Sequence, residues 1–419
     1  MAGNVLLTIG GITRRAVMLF LNSNAFIGNI NRQYDDQFAI TGAKIGQQLR
    51  IRLPNDYTVA DGPALQVQDT NEQSTTITVA TQRHVDTSFN SQELTMSIDD
   101  YAEIILAPKI NNLAGNVAAT VMSGVTIAQG PYQGTVVNGV EGGICNIVLN
   151  TDGSGNIISP TLDTWTAAGA NLDDNSAQFV GRKAILSPTT MGRTVSSFSG
   201  LLNPATEISR QYENSRIYDA LNFEWFSDQT TIVHTTGSFT AGTVNGGGQT
   251  GTTLAVNAIT GTLKKGDFIT IEGVNAVNYV NKNTLGTARQ FVLTADAPSG
   301  ATSLQIFPAI VPPNNGAAVQ YQTVDAAPLN SATISLVTPA NSTYRKNFVY
   351  AKECVTMVTA DLEIPPANVK AAREQYDGVS MRSLVSYVPG TDQTVNRLDC
   401  LFGFLFVRPQ WGCVVADKI

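Results

Sequence analysis

The sequence predicts an α+β fold into which a small β-barrel is inserted, and three observations carry that expectation. Between residues 236 and 325 charged residues thin out and Gly, Thr, Asn and Val dominate, in short alternating runs separated by turn residues. Outside that window, apolar residues recur at helical spacing after Ser97, and a helix pattern from about Thr161 is followed by a strand pattern at Gly181 to Leu186. The 419 residues also exceed the ~250–300 beyond which one apolar core stops growing, so at least two cores are expected.

Composition narrows the function classes. Hydrophobic residues reach 43% but charged residues only 14%, against ~25% in ordinary soluble domains. A surface of neutral polar groups has few charges to repel a neighbour, which favours close contact between copies. The net charge is −7, and no basic run is longer than a pair, as at Arg14-Arg15 and Lys264-Lys265. Avid nucleic-acid binding is therefore not expected, and contact with an anionic polymer should be weak. Cys145, Cys354, Cys400 and Cys413 form no CxxC pair and have no His at ligand spacing, so no metal or cofactor is expected. The run Leu401 to Val407 is far shorter than the ~20 apolar residues of a membrane span, and neither targeting nor a membrane role is expected.

Along the chain, Gly10-Gly11, Gly28 and Gly42 punctuate a first segment around a helix at Ile12 to Asn22, as in an arm that wraps something. Leu49 to Leu53 alternates with period two, turns follow at Pro54-Asn55-Asp56 and Asp61-Gly62-Pro63, and Thr75 to Thr81 alternates again. These read as an extended hairpin, polar on both faces, which needs a neighbour to lie on. Ser97 offers an N-cap with Asp99 and Asp100 in the first turn, and Leu106, Ile110, Leu113, Val117 and Val121 mark one face of a long helix. Pro108 either kinks that helix or starts a second one running to Met122. A helix from Thr161 or Asp163 to about Asp174-Asn175 precedes the strand at Gly181 to Leu186, closed by Pro188. Strands Phe348 to Thr359, Val379 to Tyr387 and Leu398 to Arg408 complete the host. Inside the module the alternating pairs are Leu254/Val256, Ile269/Ile271, Phe291/Leu293, Leu304/Ile306 and Val319/Tyr321.

Catalytic patterns are weak. Gly246 to Gly251 satisfies GxGxxG, but Thr252 to Val256 continues as strand where dinucleotide binding needs a helix N-terminus. His84 and His234 are the two histidines, and neither adjoins a GxSxG elbow; a polar surface or junction role fits them better than a general base. Asp35-Asp36, Asp99-Asp100 and Asp173-Asp174 read as caps or solvated turns.

Several passages resemble one family. These are Gly46 to Pro54 with Gln82 to Asp86, Ala168 to Pro188, Leu263 to Val274, and a tail of Phe348 to Pro365, Gly378 to Arg382 and Asn396 to Gly403. Taken in this order they are similar to the major capsid (coat) proteins of tailed bacteriophages, in particular the short-tailed Salmonella-phage type that carries an inserted β-domain. The resemblance implies the tailed-phage major capsid fold. Residues 1–45 would be an N-terminal arm, 46–95 an extended β-hairpin loop and 96–130 the spine helix of a peripheral domain. Residues 131–235 would begin an axial domain, 236–325 would be the inserted β-barrel, and 326–419 would finish the axial domain and return strands to the peripheral one. Candidate subunit-interface residues are Arg50, Arg52, Tyr57, Asp61, Arg83 and Asp86. The resemblance further implies pentamers and hexamers closing into an icosahedral shell around double-stranded DNA, with scaffolding protein and portal as partners, assembled in the bacterial cytoplasm and found in the virion. The competing classes are a tail tube subunit or a surface adhesin, and, last, a hydrolase using His84 or His234.

Overall fold

The computed structural model describes residues 9–35, 48–52, 62, 63, 65, 67, 74–90, 107–124, 143–198, 217, 219–313, 321–365 and 370–419. In chain order, helices α1 (Ile9–Ser23) and α2 (Ala25–Asn29) precede strands β1 (Asn31–Asp35), β2 (Gln48–Arg52), β3 (Ser74–Thr78) and β4 (Thr81–Asn90) and helix α3 (Ala107–Gly124). Then come β5 (Ile147–Val148), β6 (Asn150–Thr151), β7 (Ile157–Ile158), α4 (Leu162–Asp174), β8 (Arg182–Leu186), α5 (Pro188–Phe198), β9 (Asp219–Ala220), β10 (Phe223–Ser227) and β11 (Val233–Thr235). The next stretch holds β12 (Gly251–Ala255), β13 (Phe268–Val277), β14 (Thr284–Leu293), β15 (Ser303–Ile310) and β16 (Ile334–Leu336). The chain finishes with β17 (Thr343–Ala351), β18 (Val355–Ala360), β19 (Lys370–Tyr376), β20 (Val379–Val388), β21 (Gln393–Phe406) and β22 (Gly412–Lys418).

These elements form two compact units, and the first gathers Met1–Arg50, Thr76–Val121 and Thr356–Leu405. Its sheet has the order β1-β18-β21-β20-β19, with β4 also on β21 and β1 parallel to β18. In α3 the face Ile110, Leu113, Ala114, Val117, Ala118 and Val121 is buried at i, i+3, i+4, i+7 spacing. Pro108 is the second described residue of α3; the Ser97 to Leu106 part of the expected helix lies outside the described residues. The described part of the first segment, Ile9 to Asp35, lies on this unit's sheet. Asn24 caps α2 through Oδ1, which accepts from Ile27 N–H (3.0 Å), and Ala16, Val17 and Phe20 on α1 are fully buried, with α1 packed on β19 and β20. Helix α1 therefore buries its apolar face against this unit's own sheet. Strand β19 is an element the alternation did not reveal, because Lys370-Ala371-Ala372-Arg373-Glu374-Gln375 carries no large apolar residue.

The second unit is built from Ile51–Thr75, Met122–Val355 and Phe406–Ile419. Its host sheet runs β5-β22-β17-β8-β10-β9, with β11 beside β17; β8 and β10 are parallel, as are β5 and β22. An aromatic cluster fills its core: Trp225 of β10 meets Trp165 of α4 edge-on at 4.9 Å and Phe198 of α5 at 5.9 Å. Helix α5 was not expected, yet its start is written locally. Ser187 Oγ accepts from Thr190 N–H (3.1 Å) and Pro188 occupies the first helical position. Thr190 Oγ1 and Arg193 then donate to the fully buried Asp417 of β22, at 2.7 and 3.0 Å.

Strand β17 ends at Ala351, a 3-10 turn covers Lys352–Cys354, and β18 begins at Val355. The expected single strand Phe348 to Thr359 is thus two strands in two sheets, because continuous burial on both sides of the turn hides the break from an alternation pattern.

Between β11 and β17, which pair through His234↔Tyr344, the chain leaves the host sheet and builds another of order β12-β15-β14-β13-β16. Residues 243 and 244 link its two ends: Val244 bridges Val256 after β12, Thr243 bridges Thr333 before β16, and Val244 N–H donates to Ala332 O (2.9 Å). The pairing therefore runs in a ring. Leu254, Val256, Ile269, Ile271, Phe291, Leu293, Leu304 and Ile306 form its interior, each at most 1% exposed. Two features depart from the sequence expectation. The sheet includes β16, beyond residue 325, because three residues are too short to show alternation. Tyr321 is buried outside any strand, and Val319 lies outside the described residues.

Candidate assembly strand and module junction

Strand β4 carries two of the candidate interface residues. Arg83 and Asp86 are both exposed and sit opposite Cys400 and Arg397 of β21, on opposite faces of the strand because three residues separate them. Asp86 lies 3.0 Å from His84 Nδ1 and 4.0 Å from Arg397 Nε. Arg50 and Arg52 fall on β2, which pairs with β3; Tyr57 and Asp61 lie outside the described residues. Of the six, Arg83 and Asp86 are the two whose side chains fall among the described residues.

What sequence reading missed is the anchorage beneath β4. Asp399 of β21 is fully buried and accepts from Arg382 Nε and Nη2 (3.1 and 2.6 Å), Arg397 Nε (3.1 Å) and Gln82 Nε2 (3.0 Å). One carboxylate thus joins β4, β21 and β20 through charge-assisted bonds. From the helix side, Lys109 Nζ donates to Thr87 Oγ1 and Asn396 O, both at 3.1 Å. Burial holds the Lys109 ammonium below its ordinary pKa, and nearby Asp86 partly restores it. The signal for this anchorage was the alternation Arg397-Leu398-Asp399, which puts both charges on one face of β21.

The second polar assembly lies where the inserted module meets its host. Asp267, at the start of β13, is fully buried and accepts from His234 Nε2 (2.7 Å), Gly237 N–H (3.1 Å) and Lys264 N–H (2.7 Å). Lys346 of β17 is also fully buried; its Nζ donates to Gly266 O at 3.3 Å and stands 5.5 Å from the Phe268 ring centre and 5.9 Å from that of Tyr344. Burial lowers the Lys346 pKa to about 7 against the pull of Asp267, and lowers that of His234 as well; it raises that of Tyr344. His234 is thus a junction histidine serving a structural carboxylate.

A few residues along β14 the module meets the edge strand β5. Gln290 accepts Ile147 N–H (2.6 Å) and donates to Ile147 O (3.0 Å), so a side-chain amide stands in for the missing backbone partner. Next to it Arg289 donates to Cys145 Sγ (3.5 Å). A cleft of about 280 Å³ lies alongside, lined among others by Ala167, Asn171 and Asp174 of α4 and Ala288 of β14.

The GxGxxG segment is a turn: Gly246, Gly248 and Gly251 have positive φ, Gln249 braces the loop by donating to Asn245, Gly246 and Ala255 carbonyls, and β12 follows. All four cysteines are free and buried. Among the described residues no three His, Cys, Asp or Glu side chains are placed to hold a metal ion, and no helix is long and apolar enough to cross a membrane.

Anchored strands, a paired β2–β3 base and a module joined to its host sheet are what the geometry supplies, and the class, a phage coat protein, comes from the family match. The family model described as P22 coat protein, gene protein 5, matches residues 135–415, about two thirds of the chain, and the chain belongs to that family. Among solved structures, the chain is similar to one from Mycobacterium phage Che8 at 10% identity, covering 94% of this chain and 90% of that one with a TM-score of 0.44. A capsid structure of cyanophage P-SCSP1u is similar at 12% identity, covering 100% and 92% with a TM-score of 0.43. The CUS-3 coat protein I-domain is similar at 24% identity over 24% of this chain and 96% of that one, with a TM-score of 0.20. No curated protein matches.

Proposed function

We propose that the chain works without enzymatic activity as the repeating subunit of an icosahedral shell. Copies assemble into pentamers and hexamers that enclose double-stranded DNA, formed in the host cytoplasm with scaffolding and portal partners and retained in the virion. The family match over residues 135–415 carries this reading. The net charge of −7 supports weak contact between the wall and its contents. Arg50, Arg52, Tyr57, Asp61, Arg83 and Asp86 are proposed to meet neighbouring subunits along the β2–β3–β4 region. Strand β4 suits that role because Asp399 and Lys109 hold it at Gln82 and Thr87 while Arg83 and Asp86 remain exposed. Many modest contacts of this kind, repeated in a closed lattice, add up through multivalency.

The test is deletion of Tyr57 to Gln73, joining the two strands by a short turn. The expected product is a folded, soluble subunit that forms no shells in negative-stain micrographs, whereas the unaltered chain does. Normal shells from the deletion variant would overturn the assignment of the interface.

A further inference from the structure

We propose that Asp267, His234 and Lys346 form a pH-responsive latch that holds the inserted module on its host sheet, fastened at alkaline pH and loosened as protons enter. The three groups belong to different sides of the junction: His234 and Lys346 stand on the host strands β11 and β17, while Asp267 opens the module's strand β13. Their side-chain bonds cross or line that seam. Asp267 takes His234 from the host together with the N–H groups of Gly237 and Lys264, and Lys346 reaches the carbonyl of Gly266. The chain enters the module at Gly237 with no clearance, since a Cβ there would sit 2.1 Å from Thr262 O. At this tight entry the Gly237 N–H is held by Asp267, one of the bonds that loosening the seam would break.

Among the described residues, the titratable and charged groups of the latch are His234, Lys264, Asp267, Tyr344 and Lys346. Asp417 on the neighbouring strand β22 is committed to Thr190 and Arg193. With Lys346 neutral, the Asp267 carboxylate is satisfied by the three donors already in place, and the amine rests against the Phe268 and Tyr344 rings. A proton on Lys346 creates a fully buried ammonium with Gly266 O as its one hydrogen-bond acceptor among the described residues, a costly state unless the seam opens to water. His234 and Lys346 also repel each other when charged, so the second proton is harder to accommodate than the first.

The sign follows from linkage. Lys346 in the closed seam loses its proton near pH 7, whereas the opened, solvated side chain keeps it to about 10.5. Between those values the open form binds the extra proton, so closure strengthens as pH rises, by up to about tenfold per unit. His234, lowered from 6.5, adds a further loosening below that value.

The experiment is hydrogen exchange with mass spectrometry on the full-length, unassembled chain from pH 6 to 9, corrected for the intrinsic pH dependence of exchange. The readouts are peptides holding the Gly237, Lys264 and Lys346 amides, which donate to Asp267, Asp267 and Ile232 O. Protection there should rise several-fold to tenfold per unit from pH 7 to 9, while peptides of α3 keep constant protection. K346M should flatten the rise, and H234Q should keep it while removing the additional loss below pH 6.5. A seam whose protection does not change from pH 6 to 9 in the unaltered chain would overturn the proposal. So would an undiminished rise in K346M; the first outcome needs no variant to fold.

Discussion

Replacing Asp399 with Asn tests whether one buried carboxylate holds the strand that carries Arg83 and Asp86. The carboxylate is fully buried and receives two bonds from Arg382, whose side chain is 12% exposed, and one from Arg397, which is 32% exposed. Arg397 retains Asp86 at 4.0 Å and access to water, so its loss is small. Arg382 is the group left stranded, although it also donates to the Glu363 carbonyl. Breaking a buried pair by removing one partner costs about 3–5 kcal/mol, and the amide oxygen and remaining exposure place D399N near the lower end. About 3 kcal/mol is a shift of roughly a hundredfold in the local opening equilibrium. The assay is hydrogen exchange of peptides from β4, β20 and β21 in increasing urea, because Trp165, Trp225 and Trp411 all lie in the other unit and their fluorescence does not report this sheet. The double variant D399N/R382M, which removes the stranded charge too, should recover much of the loss. A cost below about 1 kcal/mol, or a double variant no more stable than D399N, would refute the reasoning.

Two further expectations are simpler. Burial pushes all four thiols up, Cys400 to about 12, and thiolate is the reactive form, so Ellman's reagent at pH 8 should label none of them in the folded chain within minutes and all four in denaturant; rapid stoichiometric labelling of the native protein would contradict the packing. A fragment of residues 236–342 should give a cooperative thermal transition by circular dichroism, whereas 236–325 should not, since it lacks β16 and the Thr333 bridge to Thr243; equal transitions would show that the ring does not need that strand.

The module's interior was legible because each of its longer strands alternates. Leu254/Val256, Ile269/Ile271, Phe291/Leu293 and Leu304/Ile306 were read from period two alone, and all eight side chains face the core. Helices α3 and α4 were legible for the matching reason, a 3.6-residue apolar stripe, joined in α4 by the N-cap threonine Thr161. Reading failed where periodicity carries no information. Strand β16 has three residues; β19 is polar and small; β17 and β18 are apolar on both faces, so the turn between them leaves no trace. Helix α5 did leave a trace, the Ser187-Pro188 cap, which was read as a strand terminator. The anchorage under β4 and the latch were hidden for a deeper reason: Gln82, Arg382 and Asp399, like His234, Asp267 and Lys346, are distant in sequence, and their pairing exists only in the register of the folded sheets.

The mode of attachment of the module follows from that register. Strands β11 and β17 are direct neighbours, paired at Val233↔Arg345, so the excursion between them begins and ends within one ladder and leaves the host sheet's order unbroken. Burial alone would let such a module slide, because apolar contact is non-directional. Phe268, Val292 and Phe307 form a buried cross-strand row outside the ring, and Lys346 lies over Phe268, so this face supplies area. Direction comes from bonds with strict geometry: His234 and Gly237 on Asp267, Lys346 on Gly266, and the two-way grip of Gln290 on Ile147. Set at separate points of the seam, these contacts fix both the position and the rotation of the ring on its sheet, which a single hinge point could not do.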